Sequence, residues 1–158
     1  MTDTRFRTLC VDLCDLLAVP RFELADAFEG SVAFHLVRNG VTVNVLYFPQ
    51  SCADHVFCVF EFGAIPYDDP RAPDIVLALL DANFLIPDPN PPALGRNPVS
   101  GDIVLRCVHP MAHLSAQALL DKIDKGVALA NQWRADYFLE VQPLSGDAVF
   151  ASSTGVPA

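Results

Sequence analysis

The stretch Pro73-Asp-Ile-Val-Leu-Ala-Leu-Leu-Asp-Ala-Asn-Phe-Leu-Ile86 decides how the rest of the chain is read. Pro73 has a ring-fixed φ and no N–H, which suits the first turn of a helix. Pro87 ends whatever precedes it. Within these fourteen residues only Asp74 and Asp81 carry charge. Ile75, Leu79, Ala82 and Ile86 recur at helical spacing and make one apolar face. Val76, Leu77, Leu80 and Phe84 make much of the remaining surface apolar as well. A helix that is apolar nearly all round must be covered on more than one side. One cover is the protein's own sheet. The other calls for a second copy of the chain.

The bulk composition agrees. Of 158 residues, 52% are hydrophobic and 18% charged, against a usual charged fraction of about 25%. Such an excess implies a large interface or an apolar surface kept for a partner. Length and composition predict one domain over residues 1–140 and a flexible tail over 141–158. The net charge of −9 repels phosphate backbones and anionic lipid, so neither nucleic acid nor a membrane surface is an expected partner. No apolar run approaches the ~18 residues of a membrane span. The polar start Met1-Thr-Asp-Thr-Arg-Phe-Arg lacks the hydrophobic region of a signal peptide, which points to the cytosol. The five cysteines are an odd number without framework spacing. They read as reduced and mostly buried small hydrophobes.

Working outward from the central helix, Asn39-Gly40 is the clearest local signal. It joins two β-type runs, residues 31–38 and 41–48, in a tight hairpin with a type I′ turn. That turn sets Arg38 opposite Val41. Val32, Phe34 and Leu36 then share a core face with Tyr47, Val45 and Val43. The other face carries Ala33, His35 and Val37 against Leu46, Asn44 and Thr42, and is mixed. Residues 55–65 make a third strand, apolar on both faces for much of its length. Residues 93–97 and 102–108 make a fourth and a fifth. Upstream, Thr4 caps a helix over residues 5–18 with Phe6, Leu9, Cys10, Leu13 and Leu17 on one face. Phe22, Leu24 and Phe28 lie in a connector. Downstream, Ser115 caps a long helix to about residue 138, with Leu119, Ile123, Val127, Ala130, Arg134 and Tyr137 in line. Gly126 within it marks a close contact. The order is α-β-β-β-α-β-β-α, an α+β fold with a largely antiparallel twisted sheet and helices packed on it.

Chemistry-bearing patterns are weak. His109 and His113 stand four apart, but Pro110 and the late cap at Ser115 argue against a helix there, so no metal ligands are assigned. Cys10 and Cys14 fall on an apolar helix face, where a thiolate nucleophile is not expected. Glu23, Asp26 and Glu29 read as acids of a solvated connector. Asp74 complements the dipole of its helix, and Trp133 reads as core. Glycine-rich phosphate loops, nucleophile elbows and zinc-protease motifs are not present. The sequence therefore assigns no catalytic residue and no cofactor. One rival is a small cytosolic enzyme with a Cys–His site, which a deep pocket joining a cysteine to His109 or His113 would favour.

Four pieces, in order, resemble the class I type III secretion chaperones of the Tir chaperone (CesT-like) family. Leu79-Leu-Asp-Ala-Asn-Phe-Leu85 looks like the family's leucine-leucine-acidic-alanine-asparagine-leucine helix. Gly40-Val-Thr-Val-Asn-Val-Leu-Tyr-Phe-Pro49 is similar to its second strand and the proline after it. Leu94-Gly-Arg-Asn-Pro-Val-Ser-Gly-Asp-Ile-Val-Leu105 resembles its later hairpin, and the run from Leu114 to Trp133-Arg134 its final helix. The chain departs from the pattern in its proline-rich 87–92 loop, at Arg96-Asn97, at Ser100 and in its longer tail. The resemblance implies a bacterial cytoplasmic homodimer without catalytic activity. It implies that the chain holds the N-terminal segment of a secreted effector in extended form, with the secretion ATPase as a further partner. A dimeric regulator of secretion is a second rival, because such chaperones can double as regulators. The residues expected to meet the effector are Phe6, Leu9, Leu13, Phe34 and Leu36. Those expected at the dimer interface are Ile75, Leu79, Ala82, Asn83 and Phe84.

Overall fold

Asn39 and Gly40 have φ of 48° and 76°, the two positive values that a type I′ turn requires and that let the flanking strands keep their right-handed twist. The hairpin they close is the start of a larger sheet. In the computed structural model, which describes residues 2–26, 30–85 and 90–139, the elements run α1 (Thr2–Leu17), β1 (Ala25–Asp26), β2 (Val32–Arg38), β3 (Val41–Phe48), β4 (Cys52–Gly63), α2 (Ala72–Leu85), β5 (Ala93–Arg96), β6 (Ile103–Pro110) and α3 (Ala116–Asp136). The sheet order is β1-β2-β3-β4-β6-β5, and every neighbouring pair is antiparallel.

The hairpin register is the one expected from its turn. Arg38 pairs with Val41, Leu36 with Val43, Phe34 with Val45 and Val32 with Tyr47. Alternation then separates two faces. Val41, Val43, Val45 and Tyr47 of β3 and Val56, Cys58, Phe60 and Phe62 of β4 are buried, while the residues between them are half-buried. The helices α1 and α3 pack on the buried face and on each other. Phe6 of α1 stacks on Tyr47 at 4.8 Å. Gly126 of α3 lies so close to Phe60 that a Cβ there would come within 2.3 Å of the ring, the close contact that the glycine signalled. The opposite face has no helix over it among the described residues. Its exposed positions include Val37, and Asn44 donates to Glu61 across it at 3.1 Å.

Several elements differ from expectation in extent. β1 is an extra, two-residue edge strand within the connector. It is too short to show periodicity, and pairing with β2 alone defines it. Helix α1 begins at Thr2, not after Thr4. The carbonyl of Thr4 accepts from the Thr8 hydroxyl at 3.0 Å, so Thr4 lies inside the helix, and no proline or glycine opposes the earlier start. β4 begins at Cys52, where the β3–β4 register slips. β6 continues through His109 and Pro110 because β4 is long enough to pair with both. The cap at Ser115 is as read: its hydroxyl accepts from the Ala118 N–H at 3.1 Å. Phe28, Glu29, Ile86, residues 87–89 of the proline-rich loop and the 141–158 tail lie outside the described residues.

Candidate functional site: two apolar surfaces beside the sheet

Helix α2 starts where Asp69 accepts from the backbone N–H and guanidinium of Arg71, an Asx turn that precedes Pro73 in the first helical turn. Arg71 also lies over the ring of Tyr137, 5.7 Å from its centroid, which ties this corner to the end of α3. The helix then divides into two faces. Ile75, Leu79 and Ala82 are buried and belong to the same core as α1 and α3. Val76, Leu77, Leu80 and Phe84 point outward, with exposures of 45%, 58%, 59% and 89%. Phe84 on this face, like Tyr67 beside it, is a large aromatic ring in water. A patch of this kind on a soluble protein marks a contact surface.

Asn83 stands between the two faces. Its amide donates to the Leu94 carbonyl at 3.0 Å and its carbonyl accepts from the Leu94 N–H at 2.7 Å. The side chain thus acts as one more rung of the ladder and clamps α2 to the edge strand β5. Between α2, β5 and residues 64–67 lies a cavity of about 460 Å³, lined by Ile65, Tyr67, Val76, Leu80, Leu94 and Arg96 among others. It opens beside the exposed α2 face and continues that apolar surface inward.

A second surface lies at the opposite end of the sheet. Arg21 folds back on α1, donating to the Val11 carbonyl and pairing with Asp15 at 3.0 Å. This brings Phe22 flat onto Phe34, with centroids 4.2 Å apart and rings 8° from parallel. A groove of about 260 Å³ results, lined by Arg7, Cys10, Val11, Cys14, Phe22 and Leu24 with Arg21. Val11 and Leu16 on α1, and Val19 after it, are exposed nearby.

The candidate residues named from sequence fall unevenly on these surfaces. Phe6, Leu9, Leu13 and Phe34 are buried in the chain's own core and Leu36 is half-buried, and none of the five lines the groove, although Phe34 stacks beneath Phe22. Ile75, Leu79 and Ala82 likewise face inward. Asn83 is half-buried against Leu94, and Phe84 is the one of the five that projects freely. The reason is common to both sets. An apolar stripe marks the burial face of a helix, and the side left over meets the partner. Arg134, in line with the core residues of α3, has a role that its helical spacing does not signal. Its guanidinium donates to the carbonyls of Phe62, Gly40 and Glu61, each at 2.8 Å, and so locks α3 to two strand ends.

Among the described residues, Cys–His and metal chemistry are not gathered in the pockets described above. Cys107 and His109 line a cavity of about 180 Å³ with Lys122, below the ~300 Å³ at which ligand pockets usually begin. His113 is turned into a left-handed conformation after the strand, away from any helical spacing with His109. Among the described residues no three potential metal ligands come together.

The antiparallel sheet with its helices is a fold shared with solved structures of low identity. A chaperone–effector complex of HopA1 with SchA aligns over 83% of this chain and 94% of its own, at 16% identity and a TM-score of 0.58. The Yersinia pestis chaperone SycH, bound to a fragment of YscM2, covers 80% and 98% at 13% identity and 0.57. The Pseudomonas aeruginosa ExoT–SpcS complex covers 81% and 96% at 19% identity and 0.56. Identities this low establish the fold alone. Among curated proteins no sequence matches. The family model of the Tir chaperone protein (CesT) family matches residues 22–134, and the chain belongs to that family. It is accordingly a chaperone of the type III secretion class.

Proposed function

We propose that two copies of this chain, joined through the outer face of α2, hold the N-terminal segment of a secreted effector as an extended chain in the bacterial cytoplasm. The observation that carries the proposal is the division of α2 into a buried face and an equally apolar exposed one. A self-complementary patch on a two-fold axis covers itself. The expected contacts are Val76, Leu77, Leu80 and Phe84, with Asn83 and the 460 Å³ cavity behind them. The effector side chains seat in the groove between α1 and residues 21–24, against Cys10, Val11, Phe22 and Leu24. Extended peptides are recognised by such side-chain pockets beside a strand edge, and β1 is such an edge.

This reading supports a non-enzymatic protein that needs no cofactor. The three solved structures that share the fold are each a complex of two different proteins, and HopA1 with SchA is a chaperone–effector complex. The secretion ATPase is the further partner the family resemblance adds. The test is co-expression with the products of neighbouring genes. The chain should retain one secreted protein without nucleotide, and deleting that protein's N-terminal region should abolish retention. Retention that survives the deletion would overturn the proposal.

A further inference from the structure

Beyond effector binding, and independent of it, we infer that Cys52, with the imidazole of His55 against its sulfur, is the reactive thiol of this chain and a site of covalent modification by low-molecular-weight disulfides. The Sγ of Cys52 lies 3.5 Å from Nδ1 of His55, within reach for a nitrogen that accepts a thiol proton. Cys52 is partly exposed. It opens β4 where the ladder to β3 slips, between Tyr47 and Phe48, and such irregularities turn a side chain out of the regular alternation.

The other thiols are differently placed. Cys10, Cys14 and Cys58 are buried. Burial pushes the Cys10 and Cys58 thiols up to about 12, which leaves almost no thiolate, the nucleophilic form, at neutral pH. Cys107 is half-buried, as Cys52 is, but it lies within the regular β4–β6 ladder with Cys58 as its register partner.

The step is thiol–disulfide exchange. The Cys52 proton passes to His55, and the thiolate attacks one sulfur of a disulfide RSSR. A Cys52–S–S–R bond forms as the S–S bond of the reagent breaks. The departing RS⁻ takes the proton from His55, so the products are the mixed disulfide and RSH.

The experiment treats the full chain with oxidised glutathione and follows intact mass, then maps the adduct by peptide. The first adduct is expected on Cys52. Cys52→Ser should remove the fast phase, and His55→Gln should slow it about tenfold or more, the low end of what a positioned base contributes. A His55→Gln chain that merely loosened would expose Cys10, Cys14 and Cys58 and gain adducts, the opposite direction. A first adduct on any other cysteine, Cys107 included, would overturn the inference. So would a His55→Gln chain that reacts at the wild-type rate.

Discussion

Asn83 shows how much one residue carries. Inside an apolar helix a polar side chain must find a partner. The partner is the backbone of Leu94, the second residue of β5. Asn83→Ala removes both bonds and strands a buried N–H and carbonyl. It should lower unfolding free energy by about 1–3 kcal/mol, read as a shift in the urea midpoint at unchanged slope; an unshifted midpoint would show that the clamp contributes nothing. The buried thiols make a second prediction. Folding raises Cys10 and Cys58 from 9.0 to about 12, mainly by burial. The unfolded chain therefore releases these protons first, and stability holds below pH 9 and falls between pH 9 and 12. Chemical denaturation across that window should show the decline, and Cys10→Ala with Cys58→Ala should flatten it. That these cysteines are buried was legible in their apolar faces. The three carbonyls gathered by Arg134 were not, because they come from strand ends far apart in sequence.

At the scale of elements, what could be read depended on whether a local pattern was sufficient. The β2–β3 hairpin was legible down to its register because two residues set it. The Ser115 cap, the core position of Trp133 and the close approach at Gly126 were legible for similar reasons. β1 was not, because it exists only through its pairing with β2. The candidate interface on α2 was legible as a need for two covers. Which residues face which cover was not, because nearly every position of the helix is apolar. The buried side is now Ile75, Leu79 and Ala82, and the exposed side Val76, Leu77, Leu80 and Phe84. The two faces make opposite predictions. Leu80→Asp should leave circular dichroism and the unfolding midpoint near wild type but yield monomers by light scattering. Leu79→Asp buries an unpaired carboxylate and should cost several kcal/mol of fold stability. A dimer that survives Leu80→Asp with Leu77→Asp would move the interface off α2.

The whole molecule presents one well-covered sheet face and apolar surfaces at both ends, under a net charge of −9. The charge keeps such a surface soluble, and in the proposed function the two ends divide the work: the β5 end for the second copy, the β1 end for the client. Binding a disordered segment carries an ordering cost of about 2–5 kcal/mol, which a wide apolar surface offsets and a single small pocket would not. The most direct measurement is hydrogen exchange on the purified complex of this chain with its co-expressed secreted partner. The predicted result is slowed exchange confined to the partner's N-terminal segment and, on this chain, to residues 7–24 around the α1 groove, with the outer face of α2 already protected before the partner is added. Slowed exchange spread over a folded domain of the partner, or an α2 that becomes protected only in the complex, would contradict it.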